Sequence, residues 1–205
     1  MEQRLVLIAA GAALLALVGG TYAYTQFQPQ SALAACRGGT VAGDIGGPFT
    51  LVSETGATVT DQEVITKPSL IYFGYTFCPD VCPLHVVRNA DATALLEEQG
   101  HDVTPVFISV DPGRDTAQVL DDYTYYIHED MIGLTGSEEQ IDAAAKAYRA
   151  YYRVHEHEPD DEFYLVDHST FTYLVMPGEG FVDFYRGDVS AEEMANRVSC
   201  AIEAV

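Results

Sequence analysis

The chain has 205 residues, with 10 lysines and arginines set against 31 aspartates and glutamates, for a formal net charge of −21. That balance excludes a nucleic-acid-binding face, because phosphate contact needs clustered cations, and it leaves a solvated acidic surface able to steer a basic partner. With one apolar N-terminal segment set aside, about 170 residues remain, which suits a single domain with a substantial core.

Residues 5–24 carry no charge and are long enough to cross a hydrocarbon core of about 30 Å as a helix. Arg4 precedes them and the long acidic part follows, which predicts an anchor over 1–24 with its N-terminus inside and the domain outside. A cleaved signal peptide is the rival reading, but the apolar stretch exceeds the usual length of one. Leu33-Ala-Ala-Cys36 looks like a lipoprotein cleavage box, yet the polar residues 25–31 separate it from the apolar run. The expected organisation is anchor 1–24, linker 25–45 and one domain over 46–205.

Within the domain, apolar residues of 49–52 and Val59 flank Glu54-Thr-Gly-Ala57, which reads as a hairpin. Residues 70–75 form a short, continuous apolar and aromatic run expected to be a buried strand. A helix from about Val81 should end near Gly100. A second buried strand over 106–110 follows, then Asp111-Pro-Gly113 and a helix from about Thr116. Ser137 with Gln140 resembles a capping box, and Ile141, Ala145, Tyr148 and Tyr152 then recur at helical spacing, a stripe that reads as core. Two strand-like runs, 171–175 and 181–185, flank Pro177-Gly-Glu-Gly180, and Ser190 with Glu193 opens a last helix. This order predicts an α/β, thioredoxin-like fold, with helices covering a central mixed sheet and a hairpin at the domain's N-terminal end.

The chemistry concentrates in Phe77-Cys-Pro-Asp-Val-Cys-Pro83 at a strand-to-helix junction. Three residues separate Cys78 from Cys82, where a thioredoxin-type redox site has two, and the wider spacing points towards a metal. Slightly more than one helical turn would place both sulfurs on one face near a helix N-terminus, whose dipole favours the thiolate. Two thiolates leave a soft ion such as Cu(I) under-coordinated, so a neutral imidazole from elsewhere should supply a third donor.

Four runs occur in order: Tyr72-Phe-Gly-Tyr-Thr-Phe-Cys-Pro-Asp-Val-Cys-Pro83, Ile108-Ser-Val-Asp-Pro-Gly-Arg-Asp115, Gly133-Leu-Thr-Gly136 and Asp167-His-Ser169. Together they resemble the Sco/SenC family of membrane-anchored copper chaperones, over about residues 46–198. The resemblance implies a thioredoxin-like fold and one copper ion, Cu(I) or Cu(II), held by Cys78, Cys82 and His168. It also implies delivery of copper to the binuclear centre of cytochrome c oxidase, whose copper-bearing subunit or another copper chaperone would be the partner. A bacterial inner-membrane protein with its domain in the periplasm fits both the resemblance and the anchor.

Asp167 is expected to orient or tune the site, and Asp111, Arg114 and Asp115 to brace the cysteine loop. Among the other histidines, His155 and His157 belong to an acidic loop that reads as solvated, with adventitious divalent binding as the alternative. His85, one turn beyond Cys82, stands where the family commonly has threonine and is expected to be an exposed helix position, with contact to the metal site as the alternative. His101 and His128 follow helix ends, where a cation meets the dipole favourably. Outside the cytosol, Cys36 and Cys200 are expected to pair as a structural disulfide.

A metallochaperone needs no turnover. Two other functions would use the same residues: a thiol-disulfide reductase cycling Cys78 and Cys82, and a copper or redox sensor. No proline lies between Pro159 and Pro177, so the cis-proline that thioredoxin-type oxidoreductases carry before the corresponding strand has no counterpart there.

Overall fold

The computed structural model describes residues 17–21, 32–39, 44–156, 158, 161 and 163–205. Most of the expected anchor lies outside these residues; 17–21 are helical, and among the described residues no helix is long and apolar enough to cross a membrane. Residues 32–36, placed by sequence in the linker, form a short helix, α1 (Ala32–Cys36), whose Leu33 and Cys36 pack against the domain.

The domain opens with the predicted hairpin. Strands β1 (Thr50–Ser53) and β2 (Thr58–Thr60) pair antiparallel, and Gly56 takes a φ of 80° in the turn. A single-turn helix, α2 (Asp61–Val64), follows with a capping box from Thr60 and Glu63. Then come β3 (Ser69–Gly74), the long α3 (Val81–Glu98), β4 (Thr104–Ser109), α4 (Ala117–Tyr125) and β5 (Ile132–Thr135). The chain continues through α5 (Glu138–Ala147), β6 (Tyr152–Val154), β7 (Val166–His168), β8 (Thr172–Met176), β9 (Gly180–Tyr185) and α6 (Ala191–Glu203). The central sheet has seven strands in the order β2-β1-β5-β4-β3-β8-β9, with β3, β4 and β5 parallel and the outer pairings antiparallel. It is the mixed sheet expected, and β6 and β7 form a separate ribbon.

Every residue of β3 and β4 is buried, as parallel strands covered on both faces must be. Leu70 and Leu174 pack with Ala92 and Leu96 of α3 and with Met194 and Val198 of α6. On the opposite face, the Tyr148 ring meets Phe73 and Tyr173, each at 5.6 Å between centroids. The tyrosine stripe is therefore core at Tyr148, but the helix does not reach Tyr152. It stops at Ala147, Arg149 enters the left-handed region at φ 53°, and Tyr152 begins β6. Periodicity continued across a chain reversal that it could not register.

Candidate metal centre

Three elements deliver the site. Strand β3 ends at Gly74 and releases the loop that carries Cys78; α3 carries Cys82 in its first turn; and β7 ends on His168. Cys78 precedes the helix, so the sulfurs do not share a helical face as the spacing suggested. They converge because the Cys82 amide at the helix start donates to the Cys78 Sγ at 3.4 Å. Gly74 permits the approach, since a Cβ there would lie 2.8 Å from Tyr72 Cε1 and 3.1 Å from Cys82 Sγ.

The His168 Nε2 lies 3.0 Å from the Cys82 Sγ. Its Nδ1 lies 3.0 Å from the Ser169 carbonyl; when Nδ1–H donates there, Nε2 keeps its lone pair towards the sulfur. The imidazole sits between the edges of two tyrosine rings, Tyr72 at 6.0 Å and Tyr75 at 5.8 Å, both nearly perpendicular to it. The Tyr75 hydroxyl accepts the Val166 amide at 3.4 Å, tying the cysteine loop to β7. Among the described residues, the ligand atoms of Cys78, Cys82 and His168 all lie within 4.8 Å of one another, close enough to share one ion. Two sulfurs and one imidazole nitrogen, nearly enclosed, are a donor set for a soft metal.

Burial pushes the Cys82 thiol strongly up, outweighing the amide and hydrogen-bond contacts that favour its thiolate. At Cys82 desolvation therefore exceeds the helix dipole expected to favour its thiolate. Burial also lowers His168 below its ordinary value of 6.5, although backbone contacts at Ser169 and Phe73 and the charge of Asp167 oppose the shift. Between those two values the unfolded chain holds a proton at His168 that the folded chain refuses, so this residue's contribution to stability falls as pH drops below about 6.5. Denaturant unfolding from neutral to mildly acidic pH should show that loss, and a His168→Gln variant should show a shallower slope.

Asp167 does not touch His168. It points away from the site and pairs with His155 at 2.9 Å, so it acts on the imidazole only through its charge, and the Ser169 carbonyl does the orienting. His155 is thereby accounted for, and His157 lies outside the described residues. His101 meets Ser199 at 2.8 Å and His128 lies 3.9 Å from Glu97, both away from the sulfurs. His85 is not the exposed helix position expected: it is half-buried, with its Nδ1 3.2 Å from the Tyr72 hydroxyl.

The bracing trio takes a defined form. Asp115, fully buried, accepts the Thr76 amide at 3.0 Å, the Thr76 hydroxyl at 2.5 Å and the Ser109 hydroxyl at 2.5 Å, fixing the loop just before Cys78. Asp111 accepts from Arg114 Nε at 2.5 Å and from the Tyr164 hydroxyl at 2.6 Å. The Arg114 guanidinium lies 3.5 Å from the Tyr164 ring centre and 4.9 Å from that of Phe77, bridging the chain before β7 and the cysteine loop. Asp115→Asn would turn an acceptor of three donors into a group that cannot accept them all, so it should cost about 1–3 kcal/mol in denaturant unfolding.

The sequence model of the SCO1/SenC family matches residues 38–203. The chain belongs to the SCO1/SenC family. Protein SenC of Rhodobacter capsulatus is 55% identical over 208 residues, spanning 100% of this chain and 93% of that protein. The mitochondrial SCO1 homolog 1 of Arabidopsis thaliana is 44% identical over 75% of this chain, a match that spans only 46% of the plant protein. Among solved structures, Arabidopsis thaliana ScoI with copper bound superposes with a TM-score of 0.74 at 43% identity, covering 78% of this chain and 99% of that one. Yeast Sco1 with copper bound gives 0.73 at 33% identity, over 80% and 91%. Copper is the ion bound in these two homologous structures, and Cys78, Cys82 and His168 form the candidate copper site of this chain.

Tyr72 and Tyr75 complete the surroundings of the imidazole without a signal of their own in the sequence. Both flank Gly74 in the motif, but two tyrosines beside a glycine read equally well as core.

Proposed function

We propose that the chain is a copper metallochaperone: it carries copper as cargo on Cys78, Cys82 and His168 and delivers it to the binuclear copper centre of cytochrome c oxidase during assembly. The observation that carries this reading is the convergence of two free thiols and one imidazole nitrogen within 4.8 Å. Neutral Cys82 and His168 can be held in a buried site at no charge cost, and Cys82 gives up its proton when a cation arrives to compensate the thiolate. Delivery is then ligand exchange, in which an acceptor's thiolates or imidazoles replace these donors one at a time. The residues 5–24 would anchor the chain in a bacterial inner membrane in a single pass, with the domain in the periplasm. The Cys36–Cys200 disulfide favours such an oxidising compartment.

The test separates cargo from redox chemistry. Oxidation of Cys78 and Cys82 to a disulfide releases two electrons and two protons and removes two of the three donors together. The reduced full chain should take up one equivalent of Cu(I), and the form oxidised at this pair essentially none. Equal uptake by both forms would place copper elsewhere and end the proposal.

A further inference from the structure

We propose that His85 is a positioning residue of the copper centre, acting through Tyr72 to hold the His168 imidazole against the Cys82 sulfur. The proposal rests on the copper reading of Cys78, Cys82 and His168. Tyr72 is fully buried and meets both ligands: its ring stands perpendicular to that of His168 at 6.0 Å between centroids, and its side chain contacts the Cys82 thiol. The Tyr72 hydroxyl already meets the Cys82 thiol, and a second partner is needed to hold it from the other side. His85 supplies that restraint, one turn along α3 from Cys82, with Nδ1 3.2 Å from the hydroxyl and the two rings crossed at 72°.

His85 is itself wedged. A Cβ at Gly187 would lie 2.5 Å from His85 Nε2, so the turn after β9 lies directly against the imidazole. The same turn is fastened to α3 by Arg88, whose Nη1 donates to the Arg186 carbonyl at 2.7 Å and the Val189 carbonyl at 3.3 Å. The chain of contact therefore runs from a fixed turn to His85, from His85 to the Tyr72 hydroxyl, and from the Tyr72 ring to His168 and Cys82. Burial, with the charge of Arg88 beside it, lowers His85 below its ordinary value. In either tautomer, one nitrogen engages the phenol.

The test uses the full chain loaded with Cu(II), reading the sulfur-to-copper charge-transfer absorption and the copper affinity. His85→Phe keeps the bulk and loses the bond; Tyr72→Phe loses the bond from the other side; His85→Asn restores a polar atom near the position of Nδ1. His85→Phe should weaken copper by about five-fold, the value of one lost hydrogen bond, and Tyr72→Phe, which also loses the hydroxyl's contact with the Cys82 sulfur, by at least as much, both shifting the absorption in the same sense. The double variant should be no worse than Tyr72→Phe alone, and His85→Asn should return most of the unsubstituted spectrum. Phenylalanine variants with an unshifted spectrum, or effects that add in the double variant, would overturn the proposal, whatever happened to folding stability. Absence of the absorption together with absence of Cu(I) uptake by the unsubstituted chain would overturn the copper reading itself, and this inference with it.

Discussion

Replacing His168 by alanine, or Cys82 by serine, should weaken copper binding by more than about 100-fold, because loss of a group that merely supports a ligand already costs 10- to 100-fold. The two variants should nevertheless differ. Cys82→Ser removes a soft anionic donor from a fully buried position and leaves a hydroxyl that a soft ion binds poorly. His168→Ala leaves both sulfurs in place, since the Cys82 amide still donates to Cys78 and Asp115 still holds Thr76. It should therefore retain weak two-coordinate Cu(I) binding while losing Cu(II), which needs the nitrogen to complete a planar set. Competition with a chelator of known affinity, in both copper oxidation states, checks this; equal losses for the two ions would contradict the assigned division of roles.

The second large effect lies far from the site in sequence and chemistry. Cys36 and Cys200 are joined by a disulfide that closes a separation of 164 residues, with the Cα atoms 5.6 Å apart. Crosslinks over loops of that size restrict the unfolded chain, and removing one typically costs about 2–5 kcal/mol. Cys200→Ser should lower unfolding stability by that amount. It should leave copper uptake at neutral pH unchanged, because α1 and α6 border the core around Leu70 and Val198 rather than the sulfurs of Cys78 and Cys82. Denaturant unfolding of the variant, followed alongside copper titration, separates the two readouts; a variant with unchanged stability would mean that the bridge constrains little.

The parts of the fold legible in the sequence were those with strong local signals. The hairpin turn at Gly56, the capping box at Ser137 and the buried run ending at Gly74 each state their structure within a few residues. The segments that the sequence leaves unmarked are short. Strands β6 and β7 have three residues each, too few for the alternation of Tyr152-Arg-Val154 to stand out, and they pair Arg153 with Asp167 on an exposed face. Their pairing is tertiary: Tyr152 opposite His168 sets the position of the third ligand. Strand β5 is four residues with a glycine that leaves room for Leu120 and Thr124, which again only the packed structure explains.

At the site, the soft donor set followed from residue types, whereas its electrostatics did not. A helix start suggested an acidic thiol; the depth of Cys82 made it a reluctant one. His85 is the clearest case, since an isolated histidine on a helix reads as exposed until β9 and the turn at Gly187 close over it.

The central claim is most directly tested by X-ray absorption at the copper edge, on the reduced full chain loaded with one equivalent of Cu(I). The account predicts two sulfur donors and one imidazole nitrogen around copper, with the nitrogen contribution lost in His168→Ala. A first shell of oxygen and nitrogen alone, or one unchanged by that substitution, would contradict it.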